Sequence, residues 1–414
     1  MPDQTTQGGT TLPPTADPNA NKKDSSLSII LVIIAFIILA IGAVVVYLGN
    51  SKTPSTTSTP KALKAKVAIY GPLTGSNADY GVELRNGSIL AIRDINAAGK
   101  LDLTWVERDE KSDNDLAKKY AQELVDDKEV LGVVGPVTSG SMLAAGSIFQ
   151  DNTLPIISPS ATNPKISTLG DYIFRVVPTD DLQGKELASL AYTDLKLKRS
   201  ATLVDIDSNS QAYSQGLADV INTEFTRLGG TVAIKDTYKK GDKDFAKQVG
   251  AIKKDGKIDV IFIPGYSDEA AYLSQELQKE GLTIQVIGGD GVGEGVTNGK
   301  VIQLGGKTVE GLIATTVFDP NNPDSKVQSF IKTYKANFGK TPSWVAVLSY
   351  DAMQVLGSAI LNASSQTRAS VKDAIEKASS FQGIGRTITF DKNGDVSTPF
   401  LKLAIKNGSY EILK

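Results

Sequence analysis

The chain of 414 residues contains no cysteine and no histidine. Without thiols it can form neither a disulfide nor a cysteine nucleophile, and without imidazole it cannot build a catalytic triad with histidine as the base. Zinc sites made of thiolate and imidazole ligands are excluded for the same reason. The absence of cysteine does not indicate a compartment, because a core of this size needs no disulfides.

An excess of positive charge is also absent, since Lys+Arg 44 and Asp+Glu 46 leave a net charge of −2. A protein that binds nucleic acid normally presents a strongly basic surface, so we predict no nucleic-acid partner. The composition, 41% hydrophobic and 22% charged, is typical of a globular chain, and the length suggests two or three domains. The sequence offers no motif for a cofactor or a metal, and we expect neither.

One long apolar run, residues 27–48, contains no charged residue. At about 1.5 Å per residue, a helix of this length spans the hydrocarbon core of a bilayer. We predict a transmembrane anchor. The alternative is a cleaved signal peptide, whose apolar region is shorter and ends at small residues, whereas Val44 to Leu48 continue past the small residues Ala40 to Ala43. Lysines on both sides of the run leave its orientation undetermined.

The segments on either side of this run are polar. Residues 1–26 are rich in Pro, Gly and Thr without apolar periodicity, and residues 49–63 have a similar Ser/Thr/Pro composition. We predict a disordered tail before the anchor and a linker after it, which holds a soluble domain away from the membrane.

From about Lys64 onward, short β-branched runs alternate with helical stretches in two successive series. This alternation is typical of parallel sheets, so we predict an α/β fold with two lobes. After Phe318 the pattern is mainly helical. Residues 385–408 are predicted to form two strands around a turn at Asn393-Gly394.

Ligands of open parallel sheets bind beyond the carboxyl ends of the strands. Four loops at such positions contain polar or aromatic residues: 135–141, with Ser139 as the predicted helix cap; 157–164; 262–268, with Tyr266; and the flexible glycine-rich loop 288–295, with Asp290. Taken singly, the first loop is accounted for by a helix cap and the second by a turn. Together, two loops that offer donors to an anion and two that offer an aromatic ring and a carboxylate would suit a small zwitterion.

Two of the loops resemble motifs with another function. Residues 288–295 lack the GxGxxG spacing and no Walker lysine follows, which argues against a nucleotide site. Residues 391–395 resemble the start of a calcium loop, but the glycine comes too early and no glutamate closes the loop.

An ordered set of motifs, among them GPLTGSNADYG, VVGPVTSGS, ISPSATNP, PGYSDEAA and GGDGVG, resembles the type I periplasmic substrate-binding proteins. Within these it is similar to the branched-chain amino-acid (Leu/Ile/Val) binding family of ABC transporters. The resemblance runs from about Lys66 to the C-terminus and implies two Rossmann-like lobes that close around a ligand by a hinge motion.

The resemblance also implies three crossovers between the lobes, near Thr179–Asp181, Val317–Phe318 and Asp395–Thr398. The predicted lobe boundaries follow from these positions. They place 64–180 and 318–395 in lobe 1, and 181–317 and 396–414 in lobe 2.

The family's ligand-binding residues correspond to eight positions of this chain. Ser139 and Thr162, with the backbone of Ser160 and Ala161, are expected to bind the carboxylate of the ligand and to help hold its ammonium. A carboxylate and aromatic rings are expected on the remaining sides of the ligand.

Asp290 takes the place of the acidic residue that neutralises the ammonium, and Tyr266 that of the aromatic residue beside it. Tyr80 and Tyr213 correspond to aromatic positions at the side-chain end of the cleft. Relatives often have a glutamate in place of Asp290 and a tryptophan in place of Tyr80, so the identity of the ligand is left open.

Two further departures concern the scaffold and the membrane. Some relatives have a disulfide at the positions of Ser112 and Thr138, which this chain cannot form. Members of the family are usually secreted freely or anchored by a lipid, whereas this chain has an apolar helix.

We therefore predict a single-pass membrane protein with its soluble domain outside the cytoplasm, periplasmic or extracellular. It would capture a free amino acid, branched-chain or otherwise aliphatic, for the permease subunits of an ABC importer. A receptor that signals ligand binding to a partner protein, or a binder of a small amide or nucleoside, is the alternative. We do not expect an enzyme, because no paired general base and nucleophile occurs in these loops.

Overall fold

A computed structural model of the chain describes residues 26–49, 61–378 and 380–413. Almost all of the predicted tail (1–26) and most of the predicted linker (49–63) lie outside the described residues. The chain divides into two compact units, Met1–Pro60 and Lys61–Lys414.

In the first unit, the predicted membrane segment forms helix α1 (Ser26–Gly49). A helix of 24 residues is about 36 Å long, enough to cross the hydrocarbon core of a bilayer. Its apolar side chains between Val32 and Val46 are exposed, with Phe36 and Leu39 each at 71%. The helix therefore presents apolar surface that no other part of its own unit covers among the described residues.

The second unit alternates strands and helices, as predicted. Its strands are β1 (Leu63–Gly71), β2 (Leu101–Asp109), β3 (Val130–Val134), β4 (Ile156–Ser158), β5 (Ile173–Arg175), β6 (Arg199–Asp205), β7 (Thr231–Tyr238), β8 (Val260–Ile263), β9 (Gln285–Gly288), β10 (Ile313–Thr316), β11 (Phe381–Gln382), β12 (Thr387–Ile388), β13 (Leu401–Lys406) and β14 (Ser409–Leu413). Its helices are α2 (Ala78–Ala97), α3 (Asn114–Asp126), α4 (Ser139–Asp151), α5 (Asp180–Ser189), α6 (Gln211–Arg227), α7 (Ala246–Asp255), α8 (Ser267–Lys279), α9 (Asp290–Thr297), α10 (Lys300–Gly305), α11 (Ser325–Phe338), α12 (Trp344–Asn362) and α13 (Arg368–Lys377).

Lobe 1 is built on a five-stranded parallel sheet of order β2-β1-β3-β4-β5. Residues Val67 to Tyr70 of β1 are fully buried, as expected for an apolar run covered on both faces of a parallel sheet. Helices from both halves of the chain, α2 and α12 among them, pack on this sheet and complete the lobe core.

Lobe 2 is built on a seven-stranded sheet of order β14-β13-β10-β9-β8-β6-β7. Strands β6 to β10 are parallel, and the C-terminal hairpin adds β13 antiparallel to β10. The chain thus forms an α/β fold with two lobes, which confirms the predicted fold class.

The chain passes between the two sheets in three places: after β5, after β10 and before β13. Pro178 and Val396, from the first and last of these segments, form an isolated parallel bridge. These segments coincide with the three predicted crossovers. The lobe boundaries placed at 180, 317 and 395 stay predictions.

The predicted hairpin at Asn393-Gly394 is wrong. Strand β12, which precedes this turn, pairs with β11, and the C-terminal hairpin joins β13 to β14 through Asn407-Gly408. The reason lies in Asp391, whose Oδ1 accepts hydrogen bonds from the backbone N–H groups of Asn393 and Asp395. The strands on either side of this turn do not pair with each other. Instead, the carbonyl oxygen of Gly394 accepts a hydrogen bond from the Arg175 N–H of β5, and the chain then leaves lobe 1.

Helix α12 is long and apolar enough to cross a membrane by length and composition, but 78% of that stretch is buried inside the protein. It is therefore the core helix of lobe 1. It approaches α2 closely at Gly87, where an added Cβ would lie 2.1 Å from the carbonyl oxygen of Ala346. Only glycine permits this contact between the two helices.

A pair of glycine substitutions tests this packing. In Gly87→Ala, the new methyl group must push α2 and α12 apart, so we expect a loss of about 1–3 kcal/mol in the free energy of unfolding. The control is Gly250→Ala on the exposed face of α7, where nothing lies within 4 Å of the added Cβ. There alanine should stabilise by roughly 0.5–1 kcal/mol. Urea unfolding of residues 61–414 measures both, and equal effects would contradict the contact.

Candidate ligand-binding site

A small cavity lies between the lobes, where the loops after β3 and β4 face the loops after β8 and β9. Its volume is about 20 Å³, which is room for about one water molecule. Six of the eight predicted site residues line it: Tyr80, Ser139, Ser160, Tyr213, Tyr266 and Asp290. The structure thus brings the two polar loops of lobe 1 against the carboxylate and aromatic residues of lobe 2.

Ser139 lies at the beginning of α4, but its predicted role as helix cap is wrong. The cap is Thr138, whose Oγ1 accepts a hydrogen bond from the Ser141 N–H at 3.3 Å. Ser139 is the first residue of the helix and is 2% exposed, and its Oγ accepts a hydrogen bond from the Asn163 N–H at 3.2 Å. Its hydroxyl therefore joins the first polar loop to the second, close to the positive end of the helix dipole.

The loop after β4 is held against the loop after β3 by serine hydroxyls. Ser158 Oγ donates to the carbonyl oxygen of Pro136 at 2.7 Å, and Ser160 Oγ donates to that of Val137 at 2.5 Å. Ser158 Oγ also accepts a hydrogen bond from the Ala161 N–H at 3.0 Å. Two of these bonds join one loop to the other and the third closes the turn after β4, so the polar wall of the cavity is cross-linked by hydrogen bonds.

The structure places Ala161 and Thr162 behind this wall, since both are 0% exposed and neither lines the cavity. Ala161 packs in the core of lobe 1. Thr162 Oγ1 donates to Asp180 Oδ2 at 3.0 Å, and the Asp180 N–H donates to the Thr162 carbonyl oxygen at 2.9 Å. These two residues support the wall, and their direct contact with a ligand stays a prediction.

Asp290 lies on the opposite wall and is 3% exposed. The hydroxyl of Tyr213 donates to its Oδ1 at 2.7 Å. Burial raises the pKa of Asp290, and the hydrogen bond from Tyr213 opposes that change. A buried carboxyl group whose described contacts include no cationic side chain favours binding of a cation such as an ammonium group.

The segment that contains Asp290 was predicted as a flexible loop, and this is wrong because it forms the helix α9. Its glycines allow close packing: an added Cβ on Gly293 would lie 1.7 Å from the carbonyl oxygen of Thr315, and one on Gly291 would lie 2.4 Å from that of Gly265. The glycine-rich composition therefore reflects close contact between backbones.

Asp180 lies behind the polar wall, where it bonds to Thr162, and it was not predicted there because its segment was interpreted only as a crossover. It is 0% exposed, and burial together with the nearby charge of Asp290 holds its pKa well above the usual range. Its Oδ1 has no hydrogen-bond partner among the described residues. A carboxylate shortly after a strand end, as with Asp290, was the signal that could have identified it.

Aromatic rings close one side of the cavity. Tyr266 contacts Tyr80 and Tyr213, each with ring centroids 5.8 Å apart. Trp344, at the beginning of α12, lies 6.3 Å from Tyr80 and lines the same cavity. The sequence reasoning missed Trp344 because it belongs to a long apolar helix far along the chain.

A buried arginine connects the polar wall to the crossovers. Arg175 is 1% exposed, and its guanidinium donates to the carbonyl oxygens of Ala161 at 3.2 Å and Asn163 at 2.8 Å. Its Nε donates to Asp395 Oδ1 at 2.5 Å. The loop after β4 and the third crossover are therefore fixed to the same side chain.

The two lobes also contact each other beside the cavity. Asn209 of lobe 2 donates to Ser141 Oγ at 3.2 Å and accepts a hydrogen bond from Asn77 Nδ2 at 3.2 Å. Ser141 Oγ in turn donates to Glu110 Oε1 at 2.9 Å, and Glu110 is fully buried. Burial raises the pKa of Glu110 to about 7, with a smaller contribution from the charge of Asp109.

Within the described residues, no group of three or more Asp or Glu side chains is placed to hold a metal ion. The cavity has the serine hydroxyl groups of lobe 1 on one wall and the single carboxyl group of Asp290 on the other. Such a set suits an organic molecule that carries both charges.

Comparison with known proteins identifies relatives of the second unit. The profile of a family described as periplasmic binding protein matches residues 64–409. The leucine-, isoleucine-, valine-, threonine- and alanine-binding protein of Pseudomonas aeruginosa is 32% identical over 338 residues, which cover 80% of this chain and 87% of the relative.

Solved structures have the same architecture. A leucine-binding protein from Thermotoga maritima superposes with a TM-score of 0.76 at 31% identity, covering 84% of this chain and 98% of that chain. The branched-chain amino acid transporter substrate-binding protein of Streptococcus pneumoniae, in complex with isoleucine, gives a TM-score of 0.74 at 28% identity, covering 85% and 99%.

The raised pKa of Glu110 predicts a dependence of stability on pH. The pKa is about 7 in the folded chain and 4.5 for the free side chain, so the folded state binds the proton more tightly. Its contribution to stability is complete below about pH 4.5 and is lost as the pH rises to about 7. Burial raises the pKa of Asp351 and Glu294 in the same direction.

Between pH 5 and pH 8 the free energy of unfolding of Glu110→Gln should fall by roughly 2–4 kcal/mol less than that of the wild type. The reason is that the amide does not titrate but still accepts a hydrogen bond from Ser141. Urea unfolding at pH 5 and pH 8 measures the difference. The control is Asp115→Asn, whose side chain is 92% exposed and which should keep the wild-type dependence. Parallel curves for wild type and Glu110→Gln would contradict the assignment.

Proposed function

Because the chain belongs to the type I periplasmic binding proteins, in the branched-chain amino-acid group, we propose that it captures a free amino acid for an ABC importer. Its relatives are substrate-binding proteins of transporters, which are not enzymes. The family places the soluble domain outside the cytoplasm. The permease subunits of the importer are the proposed partner, and the proposed ligand is an α-amino acid.

The observation that supports this ligand is the placement of opposite polarity on facing walls of one cavity. Ser139 and Ser160 of lobe 1 lie across it from Asp290 of lobe 2. In a closed cleft, a zwitterion loses the hydration of both its charges, and hydrogen bonds to charged groups return about 1.5–3 kcal/mol each. The serine loops would bind the carboxylate and Asp290 the ammonium.

The side chain of the ligand is less constrained than its head group. The aromatic rings of Tyr80, Tyr266 and Trp344 lie at the side of the cavity and would pack against an aliphatic stem. The names of the relatives make leucine, isoleucine and valine the first ligands to test.

We also propose that α1 is a membrane tether. Its length matches a bilayer core, and the side chains between Val32 and Val46 are apolar and exposed. The apolar run of a signal peptide is shorter, about 7–15 residues. A tether of this kind would keep the binding domain near its permease.

A thermal-shift screen of the twenty amino acids, followed by calorimetry of the best ligand, tests the proposed ligand class. At 100 times the dissociation constant, a ligand stabilises the folded chain by about 2.7 kcal/mol. We expect Asp290→Asn to weaken binding roughly tenfold or more, since it removes the charge but keeps the shape of the side chain.

The control for this substitution is Asp219→Asn on the exposed face of α6, which should bind as the wild type does. Equal affinity in Asp290→Asn would remove this residue from the site. If none of the amino acids stabilises the chain, the proposed ligand class is wrong.

Membrane fractionation tests the tether. The full-length chain should stay in the membrane pellet after a wash at alkaline pH, because only an integral segment resists it, whereas residues 61–414 alone should be soluble. Protease added from outside should digest the lobes of the full-length chain. A mature protein whose N-terminus begins after residue 49 would instead establish cleavage of a signal peptide.

A further inference from the structure

A second and much larger cavity, of about 500 Å³, adjoins the proposed amino-acid site. It shares the lining residues Tyr80 and Tyr266 with the small cavity, so the two cavities meet at these rings. Both lobes line it, and eight of its 17 lining residues are charged. Five of them are carboxyl groups and three are lysines, an excess of acid that differs from the apolar wall expected around an aliphatic side chain.

Most of these charges have partners within the cavity wall. Lys340 pairs with Glu83, and Lys300 pairs with Asp268 at 2.8 Å. Each of these lysines is neutralised by its carboxylate. One lysine and three carboxyl groups remain, and their contacts determine which charge of the cavity is available to a ligand.

The remaining lysine, Lys240, lies 4.0 Å above the ring of Tyr266, and its ammonium donates to Asn77 Oδ1. Its charge acts on the nearby Glu269, which also accepts a hydrogen bond from the Gly241 N–H at 2.7 Å. Asp79 is exposed to solvent. Glu294, like Glu269, is buried and forms no ion pair among the described residues, although the charge of Lys340 acts on it. Of the two, Glu294 is the one that lies on α9, the helix that begins with Asp290.

Glu294 is 9% exposed, and its Oε2 has no hydrogen-bond partner among the described residues. Its Oε1 accepts one hydrogen bond, from Asn298 Nδ2 at 3.3 Å. Burial, reinforced by the charge of Glu83, raises the pKa of Glu294 to about 8. The hydroxyl of Tyr80 and the indole Nε1 of Trp344 are likewise buried without a partner.

The position of Glu294 relative to Asp290 is set by the helix that carries both. They lie four residues apart on α9, which places them on the same face and about 6 Å, roughly one turn, apart along the axis. Asp290 lines the small cavity and Glu294 the large one. A ligand whose ammonium contacts Asp290 can therefore direct its side chain along α9 towards Glu294.

We propose that the large cavity receives the side chain of the bound amino acid and that Glu294 pairs with a cationic group at its end. The ligand class is then the basic amino acids, such as lysine and arginine. Their methylene stems have the reach of about one helical turn and would pack against the rings of Tyr80 and Tyr266. This inference rests on the proposed function and specifies the ligand of the same site.

The ionisable groups that face Glu294 are Glu83 and Tyr80 from α2, Tyr334 from α11, and Lys340 before α12. A cationic ligand would favour the ionised form of Glu294, so binding would release the proton that the free chain holds. The affinity for arginine should accordingly rise between pH 6 and pH 8, whereas the affinity for an uncharged amino acid should not.

Calorimetry on the full-length chain in detergent micelles tests the proposal with four ligands: L-arginine, L-lysine, L-leucine and L-glutamine. We expect arginine and lysine to bind at least about tenfold tighter than leucine or glutamine. Glu294→Gln should weaken the binding of arginine and lysine by roughly tenfold or more and remove the dependence of their affinity on pH. The affinity for leucine should stay unchanged.

The control is Asp219→Asn on the exposed face of α6, which removes one negative charge outside the lining of the cavity and should leave the order of affinities as it is. Leucine binding more tightly than arginine and lysine would overturn the inference while leaving the proposed function intact. Equal affinities for glutamine and arginine would overturn the pairing with Glu294. If no amino acid binds, the proposed function itself fails.

Discussion

The cleft depends on a carboxyl group that is buried without a cation of its own. Removing a charge from water costs several kcal/mol per ion unless a partner replaces the water. Asp290 receives a hydrogen bond from Tyr213 at 2.7 Å, but burial still raises its pKa. The facing wall offers the hydroxyl groups of Ser139 and Ser160. A molecule that brings both charges satisfies the two walls together, whereas an ion of one sign would satisfy only one of them.

Selectivity for such a molecule requires that the polar wall hold its shape, and the structure provides this through Arg175. Its guanidinium bonds to the backbone of the loop after β4 and pairs with Asp395 of the third crossover. Val396, the next residue, bridges to Pro178 of the first crossover. Because one buried side chain connects the wall to the crossovers, rotation of the lobes would move the wall as a rigid body, the arrangement that a hinge motion needs.

Local patterns in the sequence predicted those parts of the site that lie in the loops after parallel strands. Ser139, Ser160, Tyr266 and Asp290 follow the carboxyl ends of such strands, two in each sheet, and they meet in one cavity because these two edges face each other. Trp344 could not be predicted in this way, since it reaches the cavity from a helix that is distant in sequence. The C-terminal hairpin was misplaced for a related reason. Both Asn393-Gly394 and Asn407-Gly408 are good turn sequences, and the contacts of Gly394 and Asp395 with Arg175 distinguish the first from the second.

The glycines of α9 connect the fold to the selection of a ligand. At Gly291 and Gly293 the helix lies against the carbonyl groups of Gly265 and Thr315 so closely that a methyl group would not fit. The helix is therefore held in place by two strand ends of lobe 2, and the carboxyl groups one turn apart on it have a fixed spacing. If Asp290 binds the ammonium that all amino acids share, Glu294 lies where their side chains differ. The fixed spacing of the two carboxyl groups would then favour a ligand whose two positive charges are the same distance apart. A flexible loop, which the glycine content alone suggested, could not distinguish ligands by that distance.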